Sequence, residues 1–207
     1  ADVTGVGTNQ NRRVGCPYGG DKGIFSYTNS TNETNLVSNQ GVIASSVTGV
    51  GTNRDAMGGA GFGSANSRGI WAYGQGGYNI SNLISTTGVV SSNVAGVGTA
   101  RYNLCGTMFG GDQGIFGYGY LWTTVTNKVS NTGVVASDTS GAGTNAYDKG
   151  AAPYGGDKGI FGFGQLEGVG LSSITNLISN TGVTASNTTG VGVARKELAG
   201  AGYSFSA

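Results

Sequence analysis

The chain has 207 residues, a formal net charge of +1 and 10% charged side chains, and it contains no histidine. So little charge, with no run of Lys or Arg, excludes the electrostatic footprint of a nucleic-acid binder, and the missing imidazole removes the commonest general base and metal ligand. Glycine supplies 42 residues and proline 2 without a three-residue period, which excludes collagen and a proline-rich linker. No apolar run approaches about 18 residues and no charged-then-apolar leader opens the chain, so neither membrane insertion nor a signal peptide is expected.

Residues 1–8 end in Gly5-Val-Gly-Thr8, a segment that returns as Gly49-Val-Gly-Thr52, Gly96-Val-Gly-Thr99, Gly141-Ala-Gly-Thr144 and Gly190-Val-Gly-Val193. After each copy comes a strand of small residues, strand a, at 13–18, 56–62, 104–109, 151–154 and 198–203. A glycine-rich turn follows, Tyr18-Gly-Gly-Asp21-Lys22, Phe109-Gly-Gly-Asp112-Gln113 and Tyr154-Gly-Gly-Asp157-Lys158, with a looser copy at 62–68. Paired glycines and an Asp accept the positive φ angles of a hairpin turn. Strand b is expected at 23–28, 69–73, 114–122 and 159–166, strand c at 35–37, 82–84, 127–129 and 176–178, and strand d at 42–45, 89–91, 134–137 and 183–186.

The strand-b isoleucines 24, 70, 115 and 160 are 46, 45 and 45 residues apart, and a period this even marks a repeat protein. A unit of this length buries too little to fold alone, so the copies stack into one domain spanning 1–207, with units at about 9–52, 53–99, 100–144 and 145–193 and a partial unit at 194–207. Four short strands per unit and no helical periodicity describe an all-β fold, and units of about 40 to 50 residues are the blade size of a β-propeller. The literal count is four full blades plus one extra strand a; the alternative is a five-bladed ring with an incomplete last blade. Small residues in strand a suit an innermost strand near a narrow axis. Ile24, Ile70, Ile115 and Ile160 are then equivalent buried positions, and Phe25, Trp71, Phe116 and Phe161 form the packing between blades.

An Arg before strand a, a strand of small residues, and Gly-Asp-Lys-Gly-Ile-Phe-Gly resemble a kelch-type propeller unit over nearly the whole chain. The glycine doublet precedes strand b here, whereas kelch repeats place it after, and strand d lacks their closing Trp. The near-identical Asn/Gly/Thr-rich copies also resemble repeat arrays of bacteriophage tail and surface-fibre proteins. That resemblance implies an extracellular or virion-surface location, with other virion or fibre proteins, further copies of the chain or a cell-surface glycan as partners.

The motifs with chemical overtones have plainer readings. Gly-Val-Gly-Thr is no phosphate loop, because no helix follows it. Asp21, Asp112 and Asp157 are lone carboxylates at one turn position, too few for calcium, so they read as turn caps and no metal or cofactor is expected. Acid–base catalysis needs two converging carboxylates, and none is legible, so the chain reads as non-enzymatic. Cys16 and Cys105 fall in strands of the first and third units, too far apart for a disulfide, and read as free buried thiols. The sequons at Asn29, Asn32, Asn79 and Asn187 are near chance in so Asn/Thr-rich a chain.

Period-two alternation places Phe116, Tyr118, Tyr120 and Trp122 on one face of strand b. The outer members Tyr120 and Trp122, with Tyr78, offer rigid apolar faces with polar rims of the kind that stack on sugar rings. Gln75 and Gln165 share the position of Tyr120 and add hydrogen-bonding groups. The function expected is a structural or receptor-binding module of a virion or surface fibre; the alternative is a sugar-binding lectin with one shallow site per blade.

Overall fold

A computed structural model describes residues 6–7, 9–121 and 123–202. These residues form antiparallel sheets and no α-helix; a 3-10 turn covers Ser64–Asn66. Unit 1 contains β1 (Gly15–Tyr18), β2 (Lys22–Phe25), β3 (Glu33–Val37) and β4 (Val47–Thr48). Unit 2 contains β5 (Gly58–Phe62), β6 (Arg68–Ala72) and β7 (Ser81–Ile84), and unit 3 contains β8 (Cys105–Phe109), β9 (Gln113–Gly117) and β10 (Thr126–Val129). Unit 4 contains β11 (Ala146–Tyr147), β12 (Gly150–Tyr154), β13 (Lys158–Gly162), β14 (Gln165–Leu166), β15 (Gly170–Leu171) and β16 (Thr175–Ile178). Each unit pairs its strands in the order a, b, c, while β11, β14 and β15 make a separate small sheet.

The turns match their composition. Gly19 and Gly20, Gly110 and Gly111, and Gly155 and Gly156 all take left-handed φ between strands a and b, a conformation that costs a residue with a Cβ. Asp21 pairs with Lys22 at 2.7 Å and accepts the Asn39 amide at 2.9 Å. Asp112 accepts Asn131 at 3.0 Å in the same way, so these carboxylates tie the a–b turn to the c–d turn.

Strand d departs from expectation: over most of its length it is not a continuous strand. Strand c meets it at isolated bridges, Ile84↔Val90 and Ser81↔Val94 in unit 2, Val129↔Val135 and Thr126↔Thr139 in unit 3, and Ile178↔Thr184 and Thr175↔Thr188 in unit 4. Each register pair differs by one residue, which is the signature of a β-bulge. The strand-c asparagine fills the gap. Nδ2 of Asn82, Asn127 and Asn176 donates to the carbonyls of Ser91, Ala136 and Ala185 at 3.0, 3.0 and 3.2 Å.

Between units the packing repeats. The strand-b aromatic of each unit meets an aromatic of the unit before it edge-on: Trp71 on Tyr27 at 5.3 Å, Phe116 on Tyr73 at 5.8 Å and Phe161 on Tyr118 at 5.6 Å. The c–d turn glycines 88, 133 and 182 lie against Tyr18, Phe62 and Phe109 of the preceding unit. Three apolar clusters thus sit at the three junctions. Trp71, Phe116 and Phe161 are fully buried, but Phe25 is 39% exposed, contrary to its expected place between blades. Ile24, Ile70 and Ile115 are buried while Ile160 is only half-buried. Both differences have one cause: among the described residues, no further b–c–d set packs beyond units 1 and 4.

Two other expectations are corrected. Strand b of unit 3 ends at Gly117, because Tyr118 and Gly119 both take left-handed φ, so Tyr118 is buried while Tyr120 turns outward and no single-faced stripe forms. Residues 198–202 form no strand, since no strand b stands beside them. Cys16 and Cys105 are free and buried, as expected, and burial pushes both thiols up to about 12.

Candidate binding surface

The first strands of the four unit sheets, β1, β5, β8 and β12, and residues 197–200 line one cavity of about 930 Å³. At its lining, Arg12, Ala56, Asn103, Asp148 and Glu197 are all left-handed and stand at equivalent places in successive copies. Backbone hydrogen bonds connect the last four in sequence: Asn103 N donates to Ala56 O at 2.8 Å, Asp148 N to Asn103 O at 3.0 Å and Glu197 N to Asp148 O at 3.1 Å. The fifth copy, though short, continues the pattern of the other four.

Beneath this tier lies an arginine clamp. Arg54, fully buried, donates to the Tyr73 carbonyl at 2.7 Å, the Thr52 carbonyl at 3.1 Å and Asn82 Oδ1 at 2.6 Å. Arg101 repeats this on Tyr118 O, Thr99 O and Asn127 Oδ1 at 2.8, 3.2 and 2.8 Å, and its guanidinium lies 4.3 Å from the Tyr73 ring centroid. A buried guanidinium needs its donors satisfied, and here neutral oxygens do this in place of a carboxylate. Burial lowers Arg54 to about 10. In unit 4 the arginine position is Ala146, Asn176 Oδ1 is left without a partner, and Lys149 lies over the Tyr118 ring at 4.7 Å with its buried Nζ unbonded. Burial pushes the Lys149 ammonium down.

None of the described contact residues expected from the sequence lines the cavity itself; Gln75 touches Arg12 and Tyr120 touches Tyr102, next to the lining residue Asn103. Positions 75, 120 and 165 are equivalent, as the sequence suggested: Gln75 N donates to Asp55 O at 3.0 Å, Tyr120 N to Tyr102 O at 2.6 Å, and Gln165 pairs with Tyr147 across β11 and β14. Gln75 is exposed and accepts Arg12 Nη1 at 3.3 Å, Gln165 and Tyr78 are half-buried, and Tyr120 is 37% exposed. Trp122 lies outside the described residues.

The structure adds two residues that sequence reasoning missed. Tyr102 stacks on Tyr120 with ring centroids 4.6 Å apart, and Tyr147 meets Tyr120 edge-on at 5.5 Å. The signal was present as a tyrosine immediately before Asn103 and before Asp148, in matching places of units 3 and 4. Charged groups flank this trio: Lys196 lies 3.5 Å from Asp148 and 5.6 Å from the Tyr147 ring centroid, and Arg12 is 3.8 Å from Asp55. Burial raises the Asp148 carboxyl, with Lys196 opposing. Such a cluster offers apolar ring faces, hydroxyls and paired charges to a polar ligand. No group of three or more metal-ligating side chains occurs among the described residues. The sequence matches no family model, and the comparison with curated proteins found no relative.

Proposed function

We propose that the chain is a non-enzymatic structural and contact module, a single β-propeller domain with five angular positions of which the described residues fill four, displayed on a virion or surface fibre. The observation that supports it best is the repeated junction, in which an aromatic, a turn glycine and, at two junctions, a buried arginine recur between successive units around one cavity. Such junctions give a stiff platform, because every unit is fixed through buried groups to its neighbours. The five matching left-handed residues at the cavity favour five positions over four plus a stray strand. The extracellular setting rests on the resemblance of the repeats to phage fibre arrays.

In this reading the Tyr102, Tyr120 and Tyr147 cluster, with Tyr78, Gln75 and Gln165, makes the contact with a cell-surface glycan or a fibre partner, and Trp122, expected as a further contact from the sequence, lies outside the described residues. A lectin with equivalent sites on every blade is less well supported, because the equivalent positions 75, 120 and 165 bear Gln, Tyr and Gln. Glycan-array binding by the chain and by Tyr120→Ala tests the reading. Binding that the substitution lowers by about tenfold, the loss of one good aromatic contact, supports a contact site; several equivalent weak sites insensitive to Tyr120 support the lectin instead.

A further inference from the structure

Units 2, 3 and 4 carry the tyrosine cluster and its neighbours on one repeated backbone frame. Gly74, Gly119 and Gly164, each directly after the aromatic that ends strand b, donate to the carbonyls of Arg101, Ala146 and Arg195 in the following copy at 3.0, 3.0 and 2.8 Å. The next residue then lies beside a residue at the start of its own unit: Gln75 N donates to Asp55 O at 3.0 Å, Tyr120 N to Tyr102 O at 2.6 Å, and Gln165 pairs with Tyr147 across β11 and β14. The frame is constant while the side chains it presents are not, since the pairs are Asp55 with Gln75, Tyr102 with Tyr120 and Tyr147 with Gln165.

These pairs join end to end. The Gly74 bond sets the end of strand b in unit 2 beside residue 101, next to Tyr102. Tyr102 stacks on Tyr120 at 4.6 Å, and Tyr120 meets Tyr147 edge-on at 5.5 Å across the boundary between units 3 and 4. Tyr78 adds an aromatic near Gln75, because a Cβ added at Gly76 would lie 2.7 Å from its ring. The row is therefore aromatic in the middle, carries an amide toward each end, and is longer than a single sugar ring. Ring faces meet the apolar face of a sugar, and amides both donate to and accept from its hydroxyls. The charges beside the row are matched within the protein: Arg12 donates to Gln75 Oε1 at 3.3 Å and lies 3.8 Å from Asp55, and Lys196 lies 3.5 Å from Asp148 and 3.6 Å from Glu197. A charged ligand would have to break one of these pairs, whereas an uncharged one leaves them intact.

We propose that this row is a binding track for a linear, uncharged oligosaccharide that crosses units 2 to 4, with a middle sugar on the tyrosines and the sugars to either side on Gln75 and Gln165. The inference rests on the reading of the tyrosine cluster as a glycan contact. Because the three pairs differ, the units are successive subsites for one ligand and not copies of one site, and the tyrosines fix its register.

Calorimetric titration of the full chain with linear oligomers of glucose, of galactose and of N-acetylglucosamine, from one to six residues long, tests the track, with hyaluronan fragments of matching length as the acidic comparison. Expected in at least one neutral series is an affinity that rises by about tenfold or more between one residue and four, as further subsites are engaged on one tether. Tyr120→Ala should weaken every length by about tenfold, whereas Gln75→Ala and Gln165→Ala should weaken only the longer oligomers, each by about threefold, the loss of one hydrogen bond. Hydrogen exchange in the unsubstituted chain reads the same contact without any variant: the bound tetramer should slow exchange at 75–76, 102–103, 120–121 and 147–148 together. Affinity that does not depend on length, or protection confined to 120–121, overturns the track and leaves a contact for a single sugar. Tighter binding of hyaluronan than of every neutral series overturns the uncharged ligand. Failure of the unsubstituted chain to bind any oligomer at any length overturns the glycan reading itself, and the track with it, so the two failures are distinguishable.

Discussion

At the scale of single residues, the arginine clamp concentrates the risk. Asn127 and Asn176 make the same bonds through Nδ2 to a strand-d carbonyl and to the side chain at 138 or 187, but only Asn127 accepts a buried arginine. Asn127→Leu should therefore cost about 3 to 5 kcal/mol by stranding a buried charge, and Asn176→Leu distinctly less; equal losses in chemical denaturation would show that the clamp adds nothing. Lys149 stands where unit 2 has Met57 and unit 3 has Leu104, and its ammonium is buried without a hydrogen bond. Lys149→Leu should raise stability by about 1 to 3 kcal/mol at neutral pH, the desolvation penalty less the ring contact. Because burial lowers the folded-state pKa of Lys149 below its unfolded value, the penalty is in force below the folded pKa and fades as pH rises toward the unfolded one. The advantage of Lys149→Leu should accordingly shrink in alkaline solution, and an advantage that grows there would reverse the assignment. The clamp itself was hidden in the sequence: Arg54 and Arg101 were visible as a repeated arginine, but their link to Asn82 and Asn127, 28 and 26 residues away, depends on how strands a and c fold together.

At the scale of elements, strands a, b and c were legible because glycine-paired turns and the Ile-Phe and Asn-Leu patterns bracket them. Strand d was not, since a bulge held by an asparagine side chain leaves no mark in a period-two pattern. The expected aromatic stripe failed for a related reason: left-handed φ at Tyr118 and Gly119 ends the alternation that the stripe assumes. The c–d turn gives a direct check on element packing. Gly133 and Gly41 share a left-handed φ, of 88° and 76°, so alanine strains both backbones alike; only at Gly133 does the new Cβ meet Phe62 and Leu83, within 3 Å. Gly133→Ala should lower the Tm well beyond Gly41→Ala, whose cost stays near about 1 kcal/mol of backbone strain. Equal shifts would mean that the turn does not pack on its neighbouring unit. The Tyr hydroxyls fasten the end of strand b to the closing segment of the same unit: Tyr73 and Tyr118 donate to Val97 O at 3.1 Å and Ala142 O at 2.9 Å, whereas Phe163 has no hydroxyl and Val191 beyond it is 92% exposed.

At the scale of the molecule, the 45-residue period exposed the all-β repeat, but not the number of positions around the cavity. Composition is the same for a ring of four, a ring of five or a row; what separates them is the angle between successive units. The candidate site was legible in part, because Tyr120 and its equivalents were visible as strand ends while Tyr102 and Tyr147 come to it from the preceding and following segments. Val42, Val89, Val134 and Val183 occupy matching exposed places just after the c–d turn glycines, and the buried native thiols do not compete for labels. Spin labels placed pairwise on cysteines at these positions test the account most directly. Five angular positions predict that the 42–134 and 42–183 distances are equal and longer than 42–89; a 42–183 distance equal to 42–89 would mean four positions, and one longer than 42–134 would mean a row, and either contradicts the account.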